Sequence, residues 1–500
     1  MSKSYFMGLD FGTQGVRCGV TDEQGNILNY SEKKYQTTYP KPGWAEQSPA
    51  DWVEKMEQSI GECYDKLGAE IFSGIKAMAV CTTSSTVIPM SDEDEYLSDA
   101  ILWMDNRSVE QARRINASGH ALLKHCGKEV SVEWIVPKMM WLKENRPDVY
   151  EKAERIVEQQ DYINHHFTGR WCASVSQATC KSNFVEEAGG YDKSFFEAIG
   201  FPDFFEKADT DVLRQAQPVG AIKDEIADKY HLSRGIIVYQ GGVDAHVNMI
   251  GLGVVNPGET GVVMGSSFVH LSLTDQEIFK DGIWGPYKDA IIPDMYCMEG
   301  GQVSAGSITK WFLNEFGVGG ENPYGTMAEE AAKIPAGSEG VVALDFFQGN
   351  RTPYKDPVAK GIFYGITLSH TRAHLYRAIL ESVAYGTRNI VESMESEENK
   401  INRLRGCGGV VFNPLWLQII ADVTGKPIVL TEQSGNAGVL GCAVIAAVGS
   451  GEYESFPQAC EHMVHVTKVV EPDEQAHEAY SGNYRKYLDL YKCTKHLNEI

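Results

Sequence analysis

No stretch of this 500-residue chain is apolar for long enough to cross a bilayer as a helix. The longest such run, around Val439–Val448, falls well short of the ~20 residues required. The N-terminus has no apolar core of a secretory signal, and Asp10 would interrupt one. Cysteine is thinly spread: 11 residues stand singly, with no CxxC pair. That excludes a dense disulfide framework and points to a reducing cytoplasm. Basic residues are outnumbered, 45 against 68 acidic, for a net charge of −23. Such a surface repels phosphate backbones and anionic membranes, so neither nucleic acid nor a membrane is an expected partner. Also missing are a GxxxxGK[ST] phosphate loop, a GxGxxG dinucleotide fingerprint and any low-complexity linker. The balance, 43% hydrophobic, 23% charged and 10% aromatic, is that of an ordinary globular protein. Its length suggests three domains or two large ones, each able to bury a sizeable core.

The order of elements is α/β. Tyr5 to Val20 reads as two strands around the polar turn Gly12-Thr13-Gln14-Gly15, with a third strand beginning at Ile27. Asp51 to Gly68 carries helical spacing through Trp52, Met56, Ile60, Cys63 and Leu67, and Ile75 to Cys81 is a short apolar strand running into Thr82-Thr-Ser-Ser-Thr86. About 250 residues later Thr260–Met264, Gly265-Ser-Ser267 and Val269–Leu273 repeat the strand, hydroxyl-bearing turn, strand unit. Two related halves follow, residues 1–248 and 249–500, with the boundary near Asp244 to Val255. Helical patterns at Leu375–Met394, Leu415–Val423 and Val439–Val448 are assigned to the second half.

Phosphoryl transfer needs N–H donors, hydroxyls and a carboxylate to manage a metal, because its catalysis is mainly positioning and charge neutralisation. Asp10-Phe-Gly12-Thr13-Gln14-Gly15 offers all three, although an Asp-capped hairpin turn would use the same residues. Two imidazoles at His370 and His374 lack the HExxH glutamate and a third ligand, and a solvent-facing helix is the expectation there and for Cys460–His465.

Taken together these segments resemble the FGGY carbohydrate kinases, which belong with actin and the sugar kinases. Six blocks carry the likeness nearly end to end. They are Asp10-Phe-Gly-Thr-Gln14, Trp44-Ala-Glu-Gln47, Trp103-Met-Asp-Asn-Arg107, Gly241-Gly-Val-Asp244, the pair Gly361–Ile366 and His374–Glu381, and Gly408-Gly409 with Asn413–Gln418. The block Lys138–Asn145 also fits, but Ile135 sits where Pro, Ser or Thr is usual, and Ser266-Ser267 replaces the commoner Gly-Thr-Ser. Within the family the ribulokinase branch is the nearest likeness, through Glu299-Gly-Gly-Gln302, Gly349–Pro353 and Lys181 in Ser176–Ser182.

The resemblance implies two actin-like (ribonuclease H-like) domains with an active-site cleft between them, the N-terminal one holding the sugar and phosphates and the C-terminal one ATP. It implies Asp244 as catalytic base and Asp10 as the Mg²⁺ residue. Gly12, Thr13, Gln14, Gly265, Ser266 and Ser267 would hold phosphates, and Gly408, Gly409 and Asn413 the adenosine. Thr83, Ser84, Ser85, Trp103, Asp105, Arg107, Lys181, Asp244 and Glu299 would hold a ketose. Hydrogen bonds from charged groups to a neutral polyol are worth ~1.5–3 kcal/mol each, and a site built for a hydroxyl rejects analogues lacking it. Taken singly, Lys181 reads more readily as a surface lysine, Glu299 equally well as an ordinary turn residue, and Trp44 and Trp103 also as core residues.

The expected activity is ATP-dependent phosphorylation of a linear ketose, a pentulose such as ribulose, at its terminal hydroxyl. An aspartate at its ordinary value near 3.9 would receive that proton late, in a loose transition state. Xylulose or a tetritol is the alternative within the family. An actin-like ATP and sugar switch without turnover, and a metal-dependent hydrolase, are the alternatives outside it. A homodimer is compatible with the sequence.

Overall fold

A computed structural model describes residues 3–208, 210–397 and 399–499. By compactness the chain forms two units. One takes Met1–Val255, Gly285–Cys297 and Asn436–His465, and the other Asn256–Trp284, Met298–Gly435 and Val466–Ile500. The sequence draws a single boundary after residue 248. Here the chain changes unit after Val255, and two later segments count with the first unit.

The first unit is built on a six-stranded sheet ordered Pro218–Ala221, Ile237–Tyr239, Ile75–Thr82, Tyr5–Gly12, Gly15–Asp22, Ile27–Lys34. The last three strands form the expected antiparallel meander. Ile75–Thr82 lies parallel to Tyr5–Gly12, and Ile237–Tyr239 parallel to Ile75–Thr82. The central strands are buried on both faces, which is why they read as nearly continuous apolar runs. Helix Pro49–Ser73 buries Trp52, Met56, Ile60 and Cys63 against the sheet's core. It extends the expected helix past Gly68, whose backbone is non-helical at φ 77°. A second apolar cluster, including Ile115, Trp134, Met139, Phe195 and Phe204, gathers the helices between residues 109 and 207.

The second unit repeats the plan. From Val466–Val470 its strands run Ile428–Thr431, Arg403–Cys407, Glu259–Met264, Phe268–Thr274, Tyr296–Gln302. Arg403–Cys407 again lies parallel to the first strand of the meander and Ile428–Thr431 parallel to it in turn, with an antiparallel edge strand beyond. Each unit thus has the same strand order and direction around its first hairpin, and the two glycine-hydroxyl turns occupy the same topological position. Helices Arg372–Met394 and Pro414–Thr424 pack on the core of this unit.

Two expectations are corrected. Helix Ala437–Gly449 belongs with the first unit, where it lies against strand Tyr5–Gly12 and helix Asp244–Gly251. His374 does not face solvent: it is 7% exposed and its Nδ1 accepts the Thr371 N–H (3.1 Å), closing the start of helix Arg372–Met394.

Candidate active site

Three parallel strands of the first unit end side by side, and their C-terminal ends deliver Asp10, the Thr82–Thr86 loop and, past Gly241 and Gly242, Asp244. Such strand ends are where open α/β sheets collect ligands. The loop is pinned by Thr83 N–H to Phe11 O (3.0 Å) and Thr82 N–H to Gly242 O (3.1 Å). Asp244 opens helix Asp244–Gly251, and its Oδ1 accepts the Ala245 N–H at 2.7 Å. Burial raises the Asp244 carboxyl to about 7, with the charge of Asp10 adding to the shift and the Ala245 N–H opposing it. Asp10 is 5% exposed; burial raises it too, against the pull of Arg17 at 3.6 Å and of the Cys81 thiol, which donates to Oδ1 at 3.4 Å. Two buried carboxyls, one of which raises the other further, therefore stand at the same end of the sheet.

The helix Ala437–Gly449 sets the Asp10 side chain in place. A Cβ on Gly438 would stand 2.5 Å from Asp10 Oδ2, so only glycine lets the helix start that close. Gly251 plays the same part at the crossing of the two helices, where a Cβ would lie 1.9 Å from Ala437 O.

The turn Gly12–Gly15 is held by Tyr35, whose hydroxyl donates to Gly12 O and Gly15 O. Thr13 Oγ1 accepts the indole N–H of Trp103 at 3.0 Å, and Thr13 O accepts Gln47 Nε2 at 2.9 Å. The Thr13 hydroxyl keeps its own proton to donate, and the Gln14 side chain stays exposed.

The residues expected to hold the sugar divide into two kinds. Thr83 Oγ1 bonds Gln159 Oε1 and Thr86 Oγ1, both at 3.0 Å, whereas the Ser84 hydroxyl is buried without a partner among the described residues. Lys181 ends helix Val175–Lys181 half-buried, its ammonium 5.6 Å from the Trp134 ring centre. Asp105 and Arg107 lie beneath the surface rather than on it. Asp105 is 0% exposed, and its carboxylate accepts Ala45 N–H (2.7 Å), Arg107 N–H (2.9 Å) and the guanidinium. Arg107 also donates to Glu46 (2.7 Å) and lies 3.9 Å over the Trp44 ring. The Asp105 carboxylate is fully engaged, whereas Arg107 spends Nε and Nη2 here and none of these bonds uses its Nη1; the pair ties the Trp44 and Trp103 loops together. Glu299 lies half-buried on strand Tyr296–Gln302 in the second unit.

The second unit holds a cavity of about 1260 Å³. Among its lining residues are Gly265, Ser266, Gly409 and Asn413. Ser267 closes the Gly265–Ser267 turn by accepting the Gly265 N–H at 3.1 Å. Gly408 sits behind, at φ 96°, where a Cβ would meet Met264 O at 2.6 Å. Asn413 Oδ1 is occupied by the Trp416 N–H (3.1 Å), so it caps helix Pro414–Thr424 and offers the cavity its amide N–H groups. The sequence did not point to Trp311, Asn322, Tyr324, Glu329 or Phe412, which line the same cavity from helices Gly306–Glu315 and Pro323–Ala332 and from the Gly409–Phe412 turn. Phe412 is 86% exposed, unusual for so large a ring, and that is a signal only a structure supplies.

Lys138, Glu158 and Tyr35 were also missed. Lys138 is fully buried and donates to Ser85 O (2.8 Å), Leu102 O (2.7 Å) and Trp103 O (3.3 Å). Burial lowers its ammonium to about 7, opposed by Asp105, Glu133 and Glu158. Among the described residues no group of three or more His, Cys, Asp or Glu could hold a metal. A magnesium ion fits here only as such ions usually bind, through one carboxylate, water and phosphate oxygens, and Asp10 at the strand end suits it.

Duplicated α/β sheets of one strand order, each with a hydroxyl-bearing turn in its first hairpin, define an actin-like phosphotransferase. Residues 5–251 match the N-terminal domain of the FGGY family of carbohydrate kinases, and residues 261–450 match its C-terminal domain. An FGGY carbohydrate kinase domain-containing protein of Xenopus laevis is 30% identical, over 99% of this chain and 98% of its own length. A ribulokinase of Geobacillus thermodenitrificans is 28% identical, over 98% and 94%. The crystal structure of xylulose kinase from Rhodospirillum rubrum superposes with a TM-score of 0.89 over 99% of this chain and 100% of that one, at 24% identity. The chain belongs to the FGGY family of carbohydrate kinases, and it is a sugar kinase. No helix among the described residues is long and apolar enough to cross a membrane.

Proposed function

We propose that the protein transfers the γ-phosphoryl group of ATP to the terminal hydroxyl of a linear ketose, a pentulose such as ribulose. The observation that carries this reading is the placement of Asp244. Sequence reasoning takes it as an ordinary aspartate; burial beside Asp10 brings it to about 7, where a carboxylate is a competent base toward a hydroxyl at neutral pH. Asp244 accepts the hydroxyl proton as oxygen attacks phosphorus, and the Ala245 N–H on its Oδ1 opposes part of the upward shift of its carboxyl. Magnesium, when bound, neutralises phosphate charge, and Asp10 is the residue that would hold it.

Gly12 to Gln14 supply N–H and hydroxyl donors to phosphate oxygens, and Ser266 and Ser267 do so from the turn that the Gly265 N–H closes. The 1260 Å³ cavity has room for a nucleoside beside Gly409 and Asn413, exceeding the ~300–1,000 Å³ of common small-molecule sites. Ser84, Lys181 and Glu299 contact the sugar, Trp103 orients the Thr13 turn, and Asp105 with Arg107 holds these loops from below. The ribulokinase relatives favour a pentulose.

The test is ADP release with D- and L-ribulose, D- and L-xylulose, erythritol and glycerol. One pentulose should give the highest kcat/KM. Turnover confined to glycerol or erythritol would overturn the substrate, and ATP binding without turnover of any of the six would overturn the kinase reading.

A further inference from the structure

Ser85 is the only residue of the Thr82–Thr86 loop in the left-handed region, at φ 56°, a conformation that costs a residue with a Cβ ~1 kcal/mol or more. Buried ionisable groups from two neighbouring elements hold it there. Its N–H donates to Glu158 Oε2 at 2.7 Å, from the end of strand Arg155–Glu158. Its carbonyl accepts the Lys138 ammonium at 2.8 Å, from helix Ile135–Asn145. The same ammonium reaches Leu102 O and Trp103 O, so its three protons are shared between the Ser85 loop and the Trp103 loop. Trp103 in turn bonds Thr13 of the phosphate turn.

Next to this grip stands Ser84, 8% exposed, with a hydroxyl that has no partner among the described residues. A buried hydroxyl left unpaired costs ~1–3 kcal/mol, a cost that a ligand hydroxyl removes. A fully buried lysine is likewise costly to keep unless its position is needed.

We infer that Lys138 and Glu158 are positioning residues: together they lock Ser85 and bind the Thr82–Thr86 loop to the Trp103 loop, so that the Ser84 hydroxyl is presented to the sugar in register with the phosphate turn. The inference rests on the sugar-kinase reading of this loop. It predicts that damage to either residue falls on the sugar and spares the nucleotide.

Three variants test it. Lys138→Met keeps the stem and removes all three donors. Glu158→Leu removes the acceptor for the Ser85 N–H, and Glu158→Gln keeps one. The first two should raise the sugar KM by about tenfold or more and lower kcat, with the ADP dissociation constant by calorimetry staying within about twofold. Glu158→Gln should restore the sugar KM to within about threefold of wild type. If Lys138→Met does not fold, the two Glu158 variants decide. A folded Glu158→Leu protein with an unchanged sugar KM, an equal loss in sugar and nucleotide terms, or no rescue by glutamine overturns the inference alone. A wild-type protein that phosphorylates none of the sugars overturns the functional reading and this inference together.

Discussion

Replacing Asp244 with asparagine should make the protein more stable and nearly inactive at once. The carboxyl ordinarily titrates at 3.8 and here at about 7, a rise of roughly three pKa units at 1.36 kcal/mol each, so carrying the charge in the folded state costs at most about 4 kcal/mol. The side chain keeps some contact with solvent, which reduces this to about 1–3 kcal/mol. The sign follows from proton counting. Between pH 4 and 7 the folded chain retains a proton that the unfolded chain has released, so this residue's contribution falls as pH rises through that window and the penalty is complete above about 7. An asparagine carries no charge at any pH. Urea unfolding followed through the first unit's transition should therefore show wild type and Asp244→Asn nearly equal at pH 4.5, diverging to about 1–3 kcal/mol in favour of the variant at pH 8. In the same preparations kcat should fall by about three orders of magnitude or more, with ADP affinity nearly unchanged. Wild-type kcat/KM should show an acid limb near pH 7. A variant equally or less stable at pH 8, or a stability difference that ignores pH, would refute the electrostatic argument. Wild-type turnover by the variant would refute the assignment of the base.

Lys181→Met should raise the KM for sugar far more than the KM for ATP; equal effects in steady-state kinetics would leave Lys181 a shaping residue only. Gly438→Ala places a methyl 2.5 Å from Asp10 Oδ2, so kcat should drop and the melting temperature fall, whereas an unperturbed variant would mean the helix yields freely. Glu381→Leu strips the buried Arg377 of its 2.9 Å partner and leaves the Gly337 N–H and Ser338 hydroxyl unmatched. It should destabilise the second unit by about 3–5 kcal/mol in denaturant unfolding.

The features legible in the sequence are those written in local patterns. The meander Tyr5–Lys34, the strand Ile75–Thr82 and the repeated hairpin at Glu259–Thr274 follow from alternation and turn residues, Asp10 stands out as the carboxylate ahead of the first glycine turn, and Asp244 is marked by the family resemblance. Less legible were features decided by distant contacts. Lys138 stands in a run of apolar residues where a lysine ordinarily reaches for water; only the three carbonyls waiting for it bury it. Asp105 and Arg107 are named as sugar ligands by the resemblance alone, and no pattern in the sequence reveals that their side chains bond each other. His374 was placed in water because helical spacing does not reveal that a ring nitrogen closes its own helix start. The residues Trp311 and Tyr324 carry no pattern of their own and become a cavity wall only when two helices are laid beside the Gly409–Phe412 turn.

The return of helix Ala437–Gly449 to the first unit bears on how the chain is made. A ribosome delivers strand Tyr5–Gly12 and helix Asp244–Gly251 early, but the element that covers them emerges after the whole intervening span, roughly ten to forty seconds later at ordinary elongation rates. Until then Ala79 and Cys81 on the sheet and Val247 on the helix, all buried in the finished fold, lack that cover and form an apolar face suited to chaperone capture.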